Sequence, residues 1–126
     1  MYTIYKICGG KMEKINNIII KYLNNEITMI NLLNMFYDIG ELIIKKNIDL
    51  IELELYLKNK YGIIISFTKR NLKNMILLYN KYEKNELETL KEYDWNQIIQ
   101  ILKKQKVNNY QNNNTLNEIK KLKNML

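Results

Sequence analysis

FTKRNLKNMILLYNKYEK, residues 67–84, is the stretch that decides the fold class. Leu72, Met75, Ile76, Leu78, Tyr79 and Tyr82 recur at spacings of three and four, so they gather on one side of a helix. Lys69, Arg70, Lys73, Asn74, Asn80, Lys81 and Lys84 fall on the other side, interrupted only by Leu77. Thr68 stands where an N-cap belongs, and the spacing predicts a helix from there to about Lys84. A strand would alternate with a period of two, and this stretch does not.

The same period extends outward in both directions. Upstream, Tyr61-Gly62 ends a helix predicted over Leu50 to Lys60, with Asp49 as N-cap and Glu52 in reach for a capping box. Between them, Ile63-Ile64-Ile65 is short and β-branched, which predicts an extended buried connector or a brief strand. Further upstream, Ile27, Ile30, Leu33, Met35, Phe36, Ile39, Leu42 and Ile43 predict the central helix, Ile27 to Lys46. Gly40 sits inside it at a cost of roughly 1 kcal/mol relative to alanine. Close approach of another helix would explain it, and so would simple tolerance. Ile15, Ile18, Ile19, Tyr22 and Leu23 predict a first helix, Glu13 to Asn24.

Downstream, Asn85-x-x-Glu88 and Asp94-x-x-Gln97 read as capping-box starts of a short helix and of one from Trp95 to about Lys106. Val107 to Asn114 is asparagine-rich and weakly patterned, which predicts a flexible linker. Thr115-x-x-Glu118 opens a last amphipathic helix carrying Leu116, Ile119, Leu122 and Leu126. So short a helix is marginal alone and needs a dock: on this domain, on a second copy, or on a partner. The expected organisation is an N-terminal segment (1–12), a helical domain (13–106), a linker (107–114) and a C-terminal helix (115–126).

The codons for Gly9-Gly10-Lys11-Met12 can spell a ribosome-binding site ahead of a start codon, so translation is expected to begin at Met12. A native N-terminal peptide containing Tyr2 to Lys11, found by mass spectrometry, would remove that expectation. The alternative for this segment is a short extended arm bearing Tyr2, Ile4 and Ile7.

Composition fits one globular domain: 126 residues, 47% hydrophobic and 26% charged, with no proline and four glycines. One cysteine, Cys8, allows no internal disulfide and suits a reducing cytoplasm. No apolar run approaches the ~18 residues that a bilayer span needs, and no signal peptide is evident. The formal charge of +7 attracts phosphate backbones or acidic protein surfaces. Arg70 is the only arginine among 20 basic residues, so an AT-rich genome accounts for part of that surplus.

The charge is unevenly placed. Residues 66–84 hold five cations and one anion, a net of +4, and residues 103–126 hold six lysines and one glutamate, a net of +5. Between them, residues 85–94 hold four acids and one lysine, a net of −3, which interrupts any continuous basic groove. A helix with Lys69, Arg70, Lys73, Lys81 and Lys84 on one side can lie against phosphates, with Asn74 and Asn80 reaching base edges. The alternative is an ordinary solvated face.

Catalysis lacks its usual parts. Without histidine there is no histidine general base or metal cluster, one cysteine makes no zinc site, and no glycine-rich phosphate loop occurs. Glu118-Ile119-Lys120 matches the E-x-K half of a PD-(D/E)xK nuclease motif, but on a predicted terminal helix with no sheet to hold it. No enzyme, cofactor or metal is expected. The ten tyrosines could stack on bases or sit half-buried at the core's edge, and Trp95 is expected to anchor its helix.

Three pieces of this chain resemble a known family. Phe36-Tyr37-Asp38-Ile39-Gly40 with Ile43 is similar to Y-x-I-G-x-x-I. Phe67-Thr68-Lys69-Arg70-Asn71-Leu72-x-x-Met75 is similar to F-S-x-R-N-L-x-x-M, and Tyr93-Asp94-Trp95 stands where L-S-W is common. These motifs belong to the helical N-terminal domain of the YhcG-type proteins, which in full-length members precedes a PD-(D/E)xK nuclease domain. The likeness spans about residues 36–103. Asn96 stands where the family often has histidine, and no nuclease domain follows. The resemblance implies a helical module, helix-turn-helix-like in part, that addresses nucleic acid or a partner, and it implies no activity here. The connector from Tyr61 to Phe67 is longer than a standard helix-turn-helix turn.

The expectation is thus an all-α, compact multi-helix domain that binds DNA or RNA without catalysis. Its candidate contacts are Lys69, Arg70, Lys73, Asn74, Leu77, Asn80, Lys81 and Lys84. The alternative is a small inhibitor, anti-CRISPR-like and encoded by a phage or mobile element, that grips an acidic surface of a nuclease effector protein. A third reading is a homodimer joined through the C-terminal helix.

Overall fold

The computed structural model describes the backbone of residues 2–126 and the side chains from Gly10 onward. Six α-helices follow one another: α1 (Tyr2–Leu23), α2 (Met29–Lys46), α3 (Leu50–Tyr61), α4 (Lys69–Lys81), α5 (Trp95–Leu102) and α6 (Asn114–Met125). Short 3-10 segments, Ile65–Phe67 and Lys84–Leu90, join α3 to α4 and α4 to α5. No strand occurs among the described residues, so the chain is all-α as its periodicity predicts.

α2 is the central element. The Thr28 hydroxyl caps it by accepting from the Asn31 N–H, and Asn47 ends it in the left-handed conformation that asparagine tolerates. Leu32, Leu33, Met35, Phe36, Ile39 and Ile43 are all buried, so a broad side of the helix faces protein. α4 is its most extensive partner, and α3 and α5 also pack on α4. Gly40 makes the α2–α4 approach possible. A Cβ there would lie 2.3 Å from the Met75 carbonyl oxygen and 2.7 Å from its carbon. Of the two explanations for this glycine, close approach is correct.

Several motif residues meet in this core. The Phe36 and Trp95 rings pack edge to face at 4.8 Å, and Tyr37 and Tyr79 at 5.3 Å. The Trp95 indole N–H donates to Asn71 Oδ1 at 2.7 Å, while Asn71 Nδ2 donates to the Ser66 carbonyl at 2.8 Å. Asn71 thus ties α4 to α5 and to the turn before α4, and Trp95 anchors its helix as expected.

The predicted caps divide into those set by neighbours in sequence and those supplied from afar. Asp49 accepts from Ile51 and Glu52 N–H, and Asp94 forms the reciprocal box with Gln97. Thr68 does not cap: its hydroxyl donates to the Ile65 carbonyl, and the Glu54 carboxylate of α3 accepts the Lys69 N–H instead. α4 ends at Lys81 rather than Lys84. The following capping box is Glu83 with Glu86, two residues before the expected Asn85–Glu88 pair. α5 stops at Leu102, short of Lys106, where Lys104 takes a positive φ of 56°.

Two further expectations are corrected. Ile63-Ile64-Ile65 is neither a strand nor buried: Ile63 is 80% and Ile65 73% exposed, and only Ile64 leans on the core. Its backbone has no strand partner because the Glu118 carboxylate takes the Ile65 and Ser66 N–H groups, both at 2.8 Å. The N-terminal segment is helical from Tyr2 and continuous with the rest of α1, not extended. The side chains of Tyr2, Ile4, Ile7 and Cys8 lie outside the described residues.

α6 docks on this domain. Ile119 and Leu122 are buried in its core, while Met125 and Leu126 stay exposed. Lys123 Nζ reaches the Asn25 carbonyl at the end of α1. The asparagine-rich segment before α6 is tied to α5. Asn108 donates its N–H to Gln100 Oε1 and accepts at its carbonyl from Gln97 Nε2. The Asn112 N–H donates to Asp94 Oδ2.

Candidate functional site

α4 carries its basic side only in part. Arg70, Lys73 and Asn80 are exposed and Lys69 is half-buried. None of these three cations forms an ion pair among the described residues. They point away from Leu72, Met75 and Leu78, all fully buried, as the helical period requires.

The other four candidates are differently placed. Asn74 is 5% exposed and faces the space between α4 and α5 rather than open solvent. Leu77 is half-buried against the core, not an exposed leucine ringed by cations. Lys81 lays its ammonium on the Leu102 carbonyl, where the C-terminus of α5 favours a cation. Lys84 lies beyond α4 and pairs with Asp38 Oδ1 at 2.8 Å. For the three on α4, the cause is that α2, α3 and α5 all pack on this helix.

Asp38 accepts from two directions. Its other oxygen takes the Tyr22 hydroxyl at 2.7 Å. Burial first, and then this hydrogen bond, raises the Tyr22 phenol above its usual range, so it stays a neutral donor.

A cavity of about 490 Å³ opens beside the free cations, between α4 and α5, with the 108–115 segment along one side. Asn71, Asn74, Asn96, Gln97, Gln100, Asn108 and Asn112 supply carboxamides to its wall, and Arg70, Lys103, Tyr110 and Ile99 are among the other residues that line it. Most of these amides already have partners. Asn74 is buried yet has one side-chain hydrogen bond, a 3.5 Å contact from Nδ2 to Asn71 Oδ1, and its own carbonyl oxygen accepts nothing among the described residues. The arrangement can recognise a flat polar group bearing both donors and acceptors, with an anion near Arg70 and Lys103.

Glu118 of the E-x-K match has a structural partner set. Besides the two backbone N–H groups, its carboxylate accepts from Ser66 Oγ at 2.5 Å. Lys120 is exposed on the opposite side of α6 from the buried Ile119 and Leu122. No group of three acidic, histidine or cysteine residues that could hold a metal occurs among the described residues. Among the described residues, no helix is long and apolar enough to cross a membrane.

Comparison with family models, with curated proteins and with solved structures gives no match. Among the cavity residues that sequence reasoning missed are Lys103, Gln97, Gln100, Asn108, Asn112 and Tyr110. A signal did exist: Gln97 and Gln100 follow Asp94 at three-residue spacing, which places their amides on one face beside an asparagine run. Nothing in the spacing brought that face to Asn74.

Proposed function

We propose that this chain is a non-catalytic nucleic-acid-binding module whose contact surface is the N-terminal half of α4 and the amide-lined cavity beside it. The observation that carries this reading is the juxtaposition of unpaired Lys69, Arg70 and Lys73 with a polar cavity that Arg70 and Lys103 both line. Cations at a rim with amides inside suit a ligand whose phosphates are outermost and whose bases follow. Lys81 and Lys84 leave the contact set because their ammonium groups are engaged within the chain, and Asn80 remains at its edge.

Replacing Lys69, Arg70 and Lys73 with glutamate should abolish binding to labelled DNA and RNA while leaving the circular dichroism spectrum and melting curve unchanged. Three phosphate contacts predict a log–log salt slope of about −2.7 on duplex DNA, or about −2.1 on single strands. Binding that ignores salt, or survives the triple reversal, removes the electrostatic mechanism.

A protein partner is the second reading, with the chain acting as an inhibitor on the acidic surface of a nuclease effector. One observation favours it. Ile51, Leu55, Ile63 and Ile65 are 57–80% exposed along α3 and the turn after it, more large aliphatic surface than a solvated face requires. Leu77 favours neither reading, because it packs on the core. For the homodimer reading, Ile119 and Leu122 of α6 are used within the chain, which leaves Met125 and Leu126 exposed at its end.

A further inference from the structure

The cavity's size and chemistry narrow the ligand beyond nucleic acid in general. At about 490 Å³ it falls in the range of small-molecule sites, too small for a duplex and suited to one nucleotide. The interior suits a group that both donates and accepts hydrogen bonds. Asn74 presents a carbonyl oxygen that accepts nothing among the described residues, which welcomes an N–H. A nucleobase edge carries an N–H donor beside an acceptor, the complement of a carboxamide. Tyr110 at the mouth is 74% exposed, a flat ring on which a base can stack. Arg70 and Lys103 come from different helical segments yet line the same opening, the right separation of roles for a phosphate outside and a base within.

We propose that this cavity takes one unpaired nucleotide of a single strand, its base against the Asn74 amide and the Tyr110 ring, its phosphate held by Arg70 and Lys103. This rests on the nucleic-acid reading above and specifies it: the protein discriminates unpaired from paired strands. Paired bases have their Watson–Crick edges occupied and cannot enter, whereas a single strand can turn one base outward.

The test is fluorescence anisotropy with labelled single-stranded oligonucleotides, the matching duplex, and free mononucleotides, on the full chain. Single strands should bind at least about tenfold tighter than the duplex, the gain expected of one stacked base. Asn74→Leu should reduce that preference about tenfold, and its melting temperature shows whether the domain is intact. Tyr110→Ala is the second variant, because so exposed a side chain is not needed for folding, and it should reduce the preference similarly. Equal binding of single strand and duplex, insensitive to both variants but lost in the Lys69/Arg70/Lys73 reversal, overturns the cavity proposal and leaves the nucleic-acid reading standing. Mononucleotides that bind as tightly as oligonucleotides also overturn it, because the strand would then add nothing. No binding to any of the three overturns both.

Discussion

Gly40→Ala should destabilise the protein by about 3 kcal/mol or more and lower its melting temperature by about 10 °C. The sign is set by two opposed effects. Alanine is the better helix former by about 1 kcal/mol, so in an open helix the exchange would stabilise. Here the new methyl would meet the Met75 carbonyl oxygen at 2.3 Å and its carbon at 2.7 Å, both backbone atoms of α4. No rotamer change can relieve that contact. α2 and α4 must move apart, and the separation loosens Phe36 and Ile39 on one side and Leu72 and Met75 on the other, all fully buried. Thermal unfolding followed by circular dichroism measures the loss. Gly10→Ala is the internal control. It lies on α1, its added Cβ meets nothing within 4 Å, and it should be neutral or stabilise by up to about 1 kcal/mol. If the two variants melted alike, the close approach of α2 to α4 would be wrong.

Glu118→Ala should detach α6 and destabilise the domain by about 3 kcal/mol. The carboxylate accepts from the Ile65 and Ser66 N–H groups and from the Ser66 hydroxyl, and Ser66 is 2% exposed. Alanine strands these donors, and hydrogen bonds to a charged acceptor contribute about 1.5–3 kcal/mol each before their mutual coupling is counted. α6 is too short to stay helical without its dock. Its amides should therefore lose hydrogen-exchange protection, and trypsin should cut at Lys120, Lys121 or Lys123 sooner than in the wild type. Glu118→Gln keeps an acceptor oxygen and should recover roughly half the loss. A variant whose α6 stays protected would show that Ile119 and Leu122 hold this helix without the carboxylate.

Both predictions concern contacts between residues far apart in sequence, and they mark where sequence reading ends. The period of three and four fixed the helices and their order. Asp49 and the Asp94–Gln97 box were legible as caps because a cap is a contact between residues two or three apart. Burial of Leu72, Met75 and Leu78 was legible for the same reason: a helix has one apolar side, and spacing reveals it.

The candidate site was legible only where solvent, rather than a neighbour, decided a side chain's surroundings. Lys69, Arg70 and Lys73 project as a helical wheel places them. Asn74 does not, because a wheel gives the direction of a side chain and not which helix arrives to cover it. Lys81 and Lys84 were indistinguishable from free cations in the sequence. Their long stems reach acceptors 21 and 46 residues away, Leu102 and Asp38. Thr68 had the right chemistry for a cap, yet Glu54 from α3 occupied that role.

The sequence by itself determined that this chain is helical, where most of its helices start, and that its first basic stretch would stand beside an apolar one. Those properties depend on residues within a few positions of one another, joined by a backbone whose geometry is known in advance. The tertiary structure alone decided that Glu118 caps a distant turn, that Gly40 admits α4, and that amides from three segments close around one cavity. Each of those depends on which surfaces meet, and that is set by the packing of all six helices at once rather than by any single stretch.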